Sequence, residues 1–430
     1  MRSKRLAVVT AIAVLAPAGL LAAPSAAAAD RTPVVGNGPS YQALTTGRGR
    51  DVVFSSEATN LVPDDRNGAT DVFLRNVKAG RTLLVSASVH GGTGNGLSYD
   101  PSVSDDGRYV AFSSSATDLV PGDVRPPDDP LVGNFVRDTV LGTTRRIPFP
   151  TPSGTPLETA ASHPRISGDG RYVAFTADSA EFTSTPFYPE QVYRVDLQTG
   201  ERRLVSATSS GAPGDDGSRV SDISADGRYV VFETVAAAFG ARSLSDWQIV
   251  RKDMVTGAVV TVGSSPFELS PYSAGPTGAV VDAGGGTVAY ERRMYEPEDG
   301  PPWRTPVVVR DVAPGTDRLL GLPPDPDGNG SALHPSLSEH GREVVYDSTT
   351  PGLTPDDPDG AGTDVFLTSL APGGGTRLVA ADAELPDISG NAAYVIFRTR
   401  DALVPSDTNG TYDFYRKDLA TGAVDLVSVG

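Results

Sequence analysis

One hairpin-like segment recurs seven times along the chain and constrains the fold more than any other feature. The clearest copy, SVSDDGRYVAFSSSATDLVPGD, runs from Ser102 to Asp123 and turns at Asp106-Gly107. Asp-Gly between two apolar runs is typical of a tight hairpin, because a type I′ turn needs positive φ at both central residues. The strand after the turn reads Tyr109-Val110-Ala111-Phe112, a continuous apolar run that indicates cover on both faces. An isolated hairpin has no such cover, so neighbouring copies must provide it.

Each copy closes its second strand with an aromatic residue. These residues are Phe54, Phe112, Phe175, Phe232, Tyr290, Tyr346 and Phe397. Successive members are separated by 58, 63, 57, 58, 56 and 51 residues. A near-constant period of this length indicates a repeat architecture in which each unit buries its neighbour.

Every repeat contains four strand-like pieces: two around the turn, a third such as DVFLRN at Asp71, and a fourth such as TLLVSAS. Four short antiparallel strands per repeat, with no helical periodicity, are typical of a β-propeller blade. The sequence therefore predicts an all-β propeller, with seven blades as the leading interpretation. The predicted blades cover approximately 39–88, 99–150, 162–208, 219–265, 276–322, 333–381 and 384–430. Six blades plus a degenerate piece, or a two-domain β-sandwich array, are the alternatives; the regular period disfavours the sandwich.

Residues 1–29 do not resemble the repeats. Arg2, Lys4 and Arg5 precede an apolar stretch, and Ala27-Ala28-Ala29 precedes Asp30. This pattern predicts a secretory signal peptide at 1–29, followed by a single propeller domain at 30–430. We therefore expect a secreted or otherwise extracytoplasmic protein that is not inserted in a membrane after cleavage.

The charge and the lack of cysteine restrict the partners. The formal net charge is −17, which argues against nucleic acid and anionic membranes as partners. The chain has no cysteine, so it offers neither disulfides nor thiolate metal ligands. We expect a monomer whose partner is an unidentified protein, glycan or small ligand.

The segments SDDGRYVAFSSSATDLVP and DVFLRN…LVS resemble the TolB-type, WD-like β-propeller repeats of secreted and envelope proteins of bacteria. The resemblance covers roughly residues 39–430 and implies the propeller fold. It implies little about activity, because this scaffold carries peptidase gates, lyases, scaffolds and binding proteins alike.

Three acidic loops are candidates for calcium binding, because hard cations favour several oxygens from a turning loop. Their candidate ligands are Asp65, Asn67, Asp71, Asp357, Asp359, Asp364, Asp407, Asn409 and Asp413. None of the loops has the spacing or the terminal Glu of an EF-hand. The alternative interpretation is a loop shaped by Asx turns and Gly. Calcium is the one cofactor that the sequence suggests; otherwise none is expected.

Asp100, His163 and His334 each precede a proline just before the predicted first strand of a blade. Connections between blades surround the channel mouth, so these residues are candidates for a ligand-binding face. Their alternative interpretation is exposed polar residues before a turn-setting proline.

Basic residues recur in the third strand, where a ring of guanidinium groups or a structural pairing with blade acids is expected. They are Arg75, Arg137, Arg194, Arg251, Arg310 and Arg416. The structural role is favoured because the position repeats with the blade.

No catalytic residue is predicted. The sequence lacks a Gly-x-Ser-x-Gly elbow, a His-Glu-x-x-His motif and a phosphate-binding loop. We expect a non-catalytic binding module. A hydrolase or lyase acting on polysaccharide remains an alternative, because paired carboxylates from different blades leave no linear motif. A structural component of the cell envelope is the third hypothesis.

Overall fold

A computed structural model describes the part of the chain that carries the repeats. The described residues are 34–122, 132–147, 161–178, 190–244, 246–264, 276–292, 304–324, 328–357 and 362–430. The repeats lie within the unit Pro33–Gly430, and residues 1–33 lie outside the described residues. No helix within the described ranges is long and apolar enough to cross a membrane.

The predicted seven-bladed β-propeller is confirmed: seven sheets follow one another along the chain, each an antiparallel meander of four strands. The strands of blades 1 to 4 are β1 Ser40–Thr45, β2 Asp51–Ser56, β3 Asp71–Asn76, β4 Arg81–Leu84; β5 Ser98–Val103, β6 Tyr109–Ser114, β7 Gly133–Asp138, β8 Thr143–Arg146; β9 Ala161–Ile166, β10 Tyr172–Asp178, β11 Glu190–Asp196, β12 Arg202–Leu204; β13 Ser218–Ile223, β14 Tyr229–Thr234, β15 Gln248–Asp253 and β16 Val259–Ser264. Those of blades 5 to 7 are β17 Thr277–Val281, β18 Thr287–Glu291, β20 Val307–Asp311, β21 Thr316–Leu320; β22 Gly330–Leu337, β23 Glu343–Ser348, β24 Asp364–Ser369, β25 Thr376–Ala380; β26 Ala383–Ile388, β27 Tyr394–Thr399, β28 Asp413–Asp418 and β29 Val424–Leu426. A two-residue strand, β19 Arg304–Thr305, adds in parallel to β22, and one 3₁₀ turn spans Ala237–Phe239.

The core is divided among the seven junctions between blades. Each of seven apolar clusters combines residues of two adjacent blades, including one cluster that joins blade 1 to blade 7. The closing aromatics of all seven repeats are at most 1% exposed and pack towards the preceding blade. Alternate residues of the second strand therefore face opposite neighbours, which explains the continuous apolar run.

The ring closes without exchanging a strand between the first and last blades. Blade 1 consists of β1 to β4 and blade 7 of β26 to β29, each continuous in sequence. Val35 forms an isolated antiparallel bridge with Val429, and the N–H of Gly36 donates to the carbonyl of Ser428 at 3.0 Å. The two ends of the domain thus meet at the junction of blades 1 and 7.

The third-strand cations occupy two registers that face opposite sides of the blade. Arg194, Arg251 and Arg416 pair with the third residue of the second strand, whereas Arg75 and Arg137 pair with the second residue. The first group reaches the next blade, where each guanidinium donates to a turn carbonyl. These arginines therefore do not share one equivalent position in the blades, and the expected single ring of guanidinium groups is wrong.

The expected pairing of these cations with the blade acids is also different in the structure. Asp138 binds the guanidinium of Arg108 at 2.9 Å, and Asp196 that of Arg171 at 2.7 Å. These partners follow the hairpin turn of the same blade. The structural role holds, but Asp138 and Asp196 stabilise the turn within a blade. Arg194, Arg251 and Arg416 connect blades, whereas Arg310 pairs with Asp317 of its own blade at 3.0 Å.

Candidate functional site at the channel mouth

The innermost strand of every blade lines an axial channel that encloses a cavity of about 620 Å³. These strands are β1, β5, β9, β13, β17, β22 and β26. An innermost strand has one unpaired edge, so its N–H groups need other acceptors. The side chains along the channel provide many of them.

The X-Pro positions noted in the sequence lie inside the innermost strands, at a β-bulge, and not in the connection before them. Asp100, His163 and His334 have φ of 50°, 54° and 50°, and Leu385 before Pro386 has 52°. The pairing of each of these strands with its neighbour shifts at this point. The bulge re-aims the side chain of the residue before Pro. His163 and His334 line the channel as a result.

The structure brings two of these three candidates together. The Nε2 atom of His163 lies 3.7 Å from a carboxylate oxygen of Asp100, across the junction of blades 2 and 3. His334, in blade 6, instead contacts Asp347 through Nδ1 at 2.8 Å. Burial opposes the charged form of His334, but the hydrogen bond and charge of Asp347, with Glu291 and Glu384, raise its pKa above the ordinary value.

Three acids at the mouth were missed by sequence reasoning. Glu233, Glu291 and Asp347 each follow the closing aromatic of blades 4, 5 and 6. Each carboxylate accepts, at 2.9 Å, the N–H of the bulge residue in the following blade. The sequence could have indicated these acids, because the residue after the closing aromatic differs between blades. It is Ser or Thr in blades 1 to 3, an acid in blades 4 to 6 and Arg398 in blade 7. Among the described residues that follow the closing aromatics, the acids therefore lie in blades 4 to 6.

A second polar layer lies deeper in the channel and connects neighbouring blades. Asp222 accepts the N–H of Val281 at 2.9 Å, and Asp387 accepts that of Thr45 at 2.7 Å. Burial raises the pKa of both carboxyl groups to about 6. Ser102 and Ser336 accept the same kind of N–H in two other blades. This layer accepts hydrogen bonds from unpaired backbone N–H groups of the innermost strand in the next blade. The mouth is therefore the part of the channel where side chains are accessible to a ligand.

The hairpin turns line the opposite end of the channel. Backbone hydrogen bonds join the turns of successive blades, for example from the N–H of Ala283 to the carbonyl of Glu339 at 3.1 Å. Gly168 leaves no room for a side chain at its own position, since a Cβ there would approach Asp105 to 2.4 Å. The turns of successive blades thus form a hydrogen-bonded end of the channel opposite the mouth.

The candidate calcium loops are hydrogen-bonded as Asx turns in the structure. Asn67 donates its amide to Asp71 at 2.8 Å, and Asn409 donates to Asp413 at 2.7 Å. In the third loop, Asp364 accepts the N–H of Asp382 at 2.8 Å, Asp357 accepts that of Gly352, and Asp359 lies outside the described residues. Within the described ranges, no group of three or more His or acidic residues is arranged to hold a metal ion. Calcium binding by these loops stays an untested hypothesis beside the Asx-turn interpretation.

Fold and site together define the class: the protein is a seven-bladed β-propeller whose axial channel is lined by polar side chains. No family model and no curated protein sequence matches the chain.

Solved structures match it at low sequence identity. An oligogalacturonate lyase from Vibrio parahaemolyticus is 12% identical with a TM-score of 0.53, over 90% of this chain and 91% of the lyase. The β-propeller domain of the Trilobed protease from Pyrococcus furiosus is 11% identical with a TM-score of 0.53, over 91% and 97%. TolB from Acinetobacter baumannii is 16% identical with a TM-score of 0.42, and the match covers 81% of this chain and 65% of TolB. At these identities the likeness to the lyase and to the protease domain shows the fold alone.

Proposed function

We propose that the protein is a non-catalytic binding module that receives a glycan, a peptide segment or another small polar ligand at the channel mouth. The observation that supports this most is the cavity of about 620 Å³, into which His163, Arg219, Glu233, Glu291 and His334 converge. Ligand pockets are typically clefts of roughly 300–1,000 Å³ with a few such polar groups. The acids of blades 4 to 6 favour neutral or cationic ligands.

We also propose that it acts outside the cytoplasm, as the signal-peptide pattern of residues 1–29 suggests.

Glycan and peptide arrays probed with residues 30–430 test the binding role. The matched variants are Thr277→Trp, which fills the mouth, and Val255→Trp, which adds the same side chain at a residue 75% exposed and outside the channel. We expect Thr277→Trp to lose array binding and Val255→Trp to keep it. Equal binding by both variants would place the ligand elsewhere and contradict the proposal.

A second candidate is acid–base chemistry on a polysaccharide, favoured by the 2.8 Å contact between His334 and Asp347 at the mouth. Incubation with a panel of neutral and uronic-acid polysaccharides, followed by reducing-end detection, tests it. Under this candidate, His334→Gln abolishes turnover while His90→Gln, at an exposed histidine outside the channel, preserves it. Under the binding role, no polysaccharide in the panel is cleaved.

A further inference from the structure

A second cavity, of about 400 Å³, lies at the junction of blades 1 and 2 and shares no lining residue with the channel. Asp51, Leu74 and Gly107 are buried in its floor. Exposed residues form its rim, including Arg81 and Val140. The cavity therefore combines a polar floor with a solvent-accessible opening.

Three other blades place an arginine of their own at the position of this cavity. Arg194, Arg251 and Arg416 each stack over the tyrosine that begins the second strand, at 4.2, 4.5 and 4.4 Å from the ring centroid. Their guanidinium groups donate to turn carbonyls of the next blade, those of Gly227, Gly285 and Gly49. The arrangement binds one blade to the next through a tyrosine, an arginine and a glycine carbonyl.

In blade 1 the same three positions are Asp51, Leu74 and Gly107, and we call this set the guanidinium slot. Leu74 pairs with Val53, the third residue of β2, just as Arg416 pairs with Ile396, the third residue of β27. Leu74 is shorter than arginine and carries no donor, so the slot lacks the third-strand guanidinium that occupies the equivalent junctions of blades 3, 4 and 7. Blades 2, 5 and 6 also have an apolar residue at this position, Val136, Val309 and Leu367. Blade 1 combines the apolar residue with the carboxylate of Asp51 and with a cavity that Leu74 lines.

The slot keeps the acceptors that a guanidinium needs. The Asp51 carboxylate contacts Arg50 at 2.7 Å and Asn76 at 2.6 Å, and ionised carboxylates have about four acceptor positions. The carbonyl of Gly107 accepts one bond, from the hydroxyl of Thr139 at 3.0 Å, and has a second lone pair. A carboxylate also binds a guanidinium more strongly than the tyrosine face that it replaces.

The surroundings of the slot suit a side chain that belongs to another polypeptide. Leu74 and Leu83 form an apolar wall for the methylene stem of an arginine. Next to the opening, Val140 and Leu141 are 72% and 67% exposed, which offers apolar contact to the residues around that arginine. Arginine beside apolar contacts is a typical interface hot spot. On the rim, Arg108 pairs with Asp138, and Arg50 contacts both Asp51 and, at 3.3 Å, the carbonyl of Asp106. An incoming arginine therefore shares the carboxylate of Asp51 with Arg50.

We propose that the guanidinium slot binds an arginine side chain of a partner polypeptide, in the place that Arg416 and its counterparts occupy within the ring. The arginine of the partner donates to Asp51 and to the carbonyl of Gly107. This interaction is independent of any ligand at the channel mouth.

The probe is the capped peptide acetyl-Gly-Arg-Gly-amide, with the uncharged citrulline peptide of the same shape as its control, followed by ligand-observed NMR. We expect the arginine peptide to bind at least fivefold more tightly than the citrulline peptide. Leu74→Arg fills the slot from within the chain and abolishes binding, whereas Val255→Arg adds the same charge at an exposed turn and leaves binding unchanged. Leu74→Met, which preserves the apolar volume, also retains binding.

A second variant keeps the test decisive if Leu74→Arg does not fold: Asp51→Asn weakens binding of the arginine peptide by at least fivefold, with folding checked by circular dichroism. Equal affinity for both peptides, or undiminished binding by folded Leu74→Arg, overturns the proposal. Binding of inorganic phosphate in the cavity without binding of the arginine peptide also overturns it, because the rim cations would then be the recognition element.

Discussion

Blade 1 and blade 7 contain the same loop between their second and third strands, yet they complete its polar contacts differently. In both, an Asn amide donates to the Asp that begins the third strand, and a Ser of the fourth-strand region donates to the same carboxylate at 2.6 Å. The loops are 65–71 and 407–413. Their backbones and hydrogen bonds are thus nearly interchangeable.

The difference lies in two consecutive residues, Tyr415-Arg416 in blade 7 and Phe73-Leu74 in blade 1. The hydroxyl of Tyr415 donates to Asp407, whereas Oδ1 of the equivalent Asp65 is buried without a partner. Arg416 reaches the turn of blade 1 across their junction, whereas Leu74 lines the cavity at the junction to blade 2. Repeated units can therefore have the same backbone conformation and still differ in their polar contacts. Where one blade lacks the donor side chain that another blade has, the acceptor of that contact is left without this donor.

Arg416→Leu makes blade 7 resemble blade 1 and has the largest expected effect. The change removes a buried stack on Tyr394 and the bonds to Gly49 and Asp425, and it opens a cavity at the ring closure. We expect a loss of about 3 kcal/mol in the free energy of unfolding, measured by urea unfolding. Arg81→Leu, an exposed arginine, serves as the control and should cost less than about 0.5 kcal/mol. A loss of similar size in both variants would contradict the structural role of Arg416.

The pH dependence of stability should distinguish the two loops. Burial raises the pKa of Asp71 from 3.8 to about 7 and that of Asp413 to about 6. A raised pKa in the folded state favours the protonated form, so the contribution is complete below pH 3.8 and is lost as pH rises towards 7. We expect Asp71 to lower the free energy of unfolding by about 2 kcal/mol between pH 5 and pH 8.

Asp71→Asn should flatten this pH profile more than Asp413→Asn, because the pKa of Asp71 is raised further. Urea unfolding at pH 5, 6, 7 and 8 measures the slopes. A stability that rises over this range, or equal slopes for both variants, would show that the two carboxyl groups do not differ as described.

Exchanging the aromatic residues of the two loops should give opposite and smaller effects. Tyr415→Phe removes the donor to buried Asp407 and should cost about 1–2 kcal/mol. Phe73→Tyr offers a hydroxyl to the unpartnered oxygen of Asp65 and should gain up to about 1 kcal/mol. Thermal unfolding of both variants measures the changes; destabilisation by Phe73→Tyr would mean that the site near Asp65 has no room for the hydroxyl.

Calcium should have the smallest effect. The Asn amides already occupy the carboxylates of Asp71 and Asp413, so we expect thermal midpoints with calcium and with chelator to agree within about 1 °C. A rise with calcium that Asp65→Asn removes would identify blade 1 as a calcium site, because its unpartnered oxygen is the difference between the loops.

The repeat, the strand order and the burial of the closing aromatics could be predicted from sequence, because each depends on a local pattern repeated seven times. The acids of the mouth could not. The role of Glu291 depends on the bulge at His334, which lies 43 residues further along the chain and in the next blade. The sequence suggested one equivalent position for the third-strand arginines. A shift of one residue in their register can be detected only from the pairing of the second and third strands. Contacts within a blade have a sequence signature, whereas contacts between blades depend on register.

The closed ring is the central claim, and a single engineered disulfide tests it most directly. The chain has no cysteine, so the double variant Val35→Cys, Val429→Cys contains one pair of thiols, at an antiparallel bridge where Cα separations suit a disulfide. We predict that the two thiols become oxidised in the folded protein, that neither reacts with a thiol reagent, and that the thermal midpoint rises. Two freely reactive thiols in folded protein would show that blades 1 and 7 do not meet, and the ring would be open.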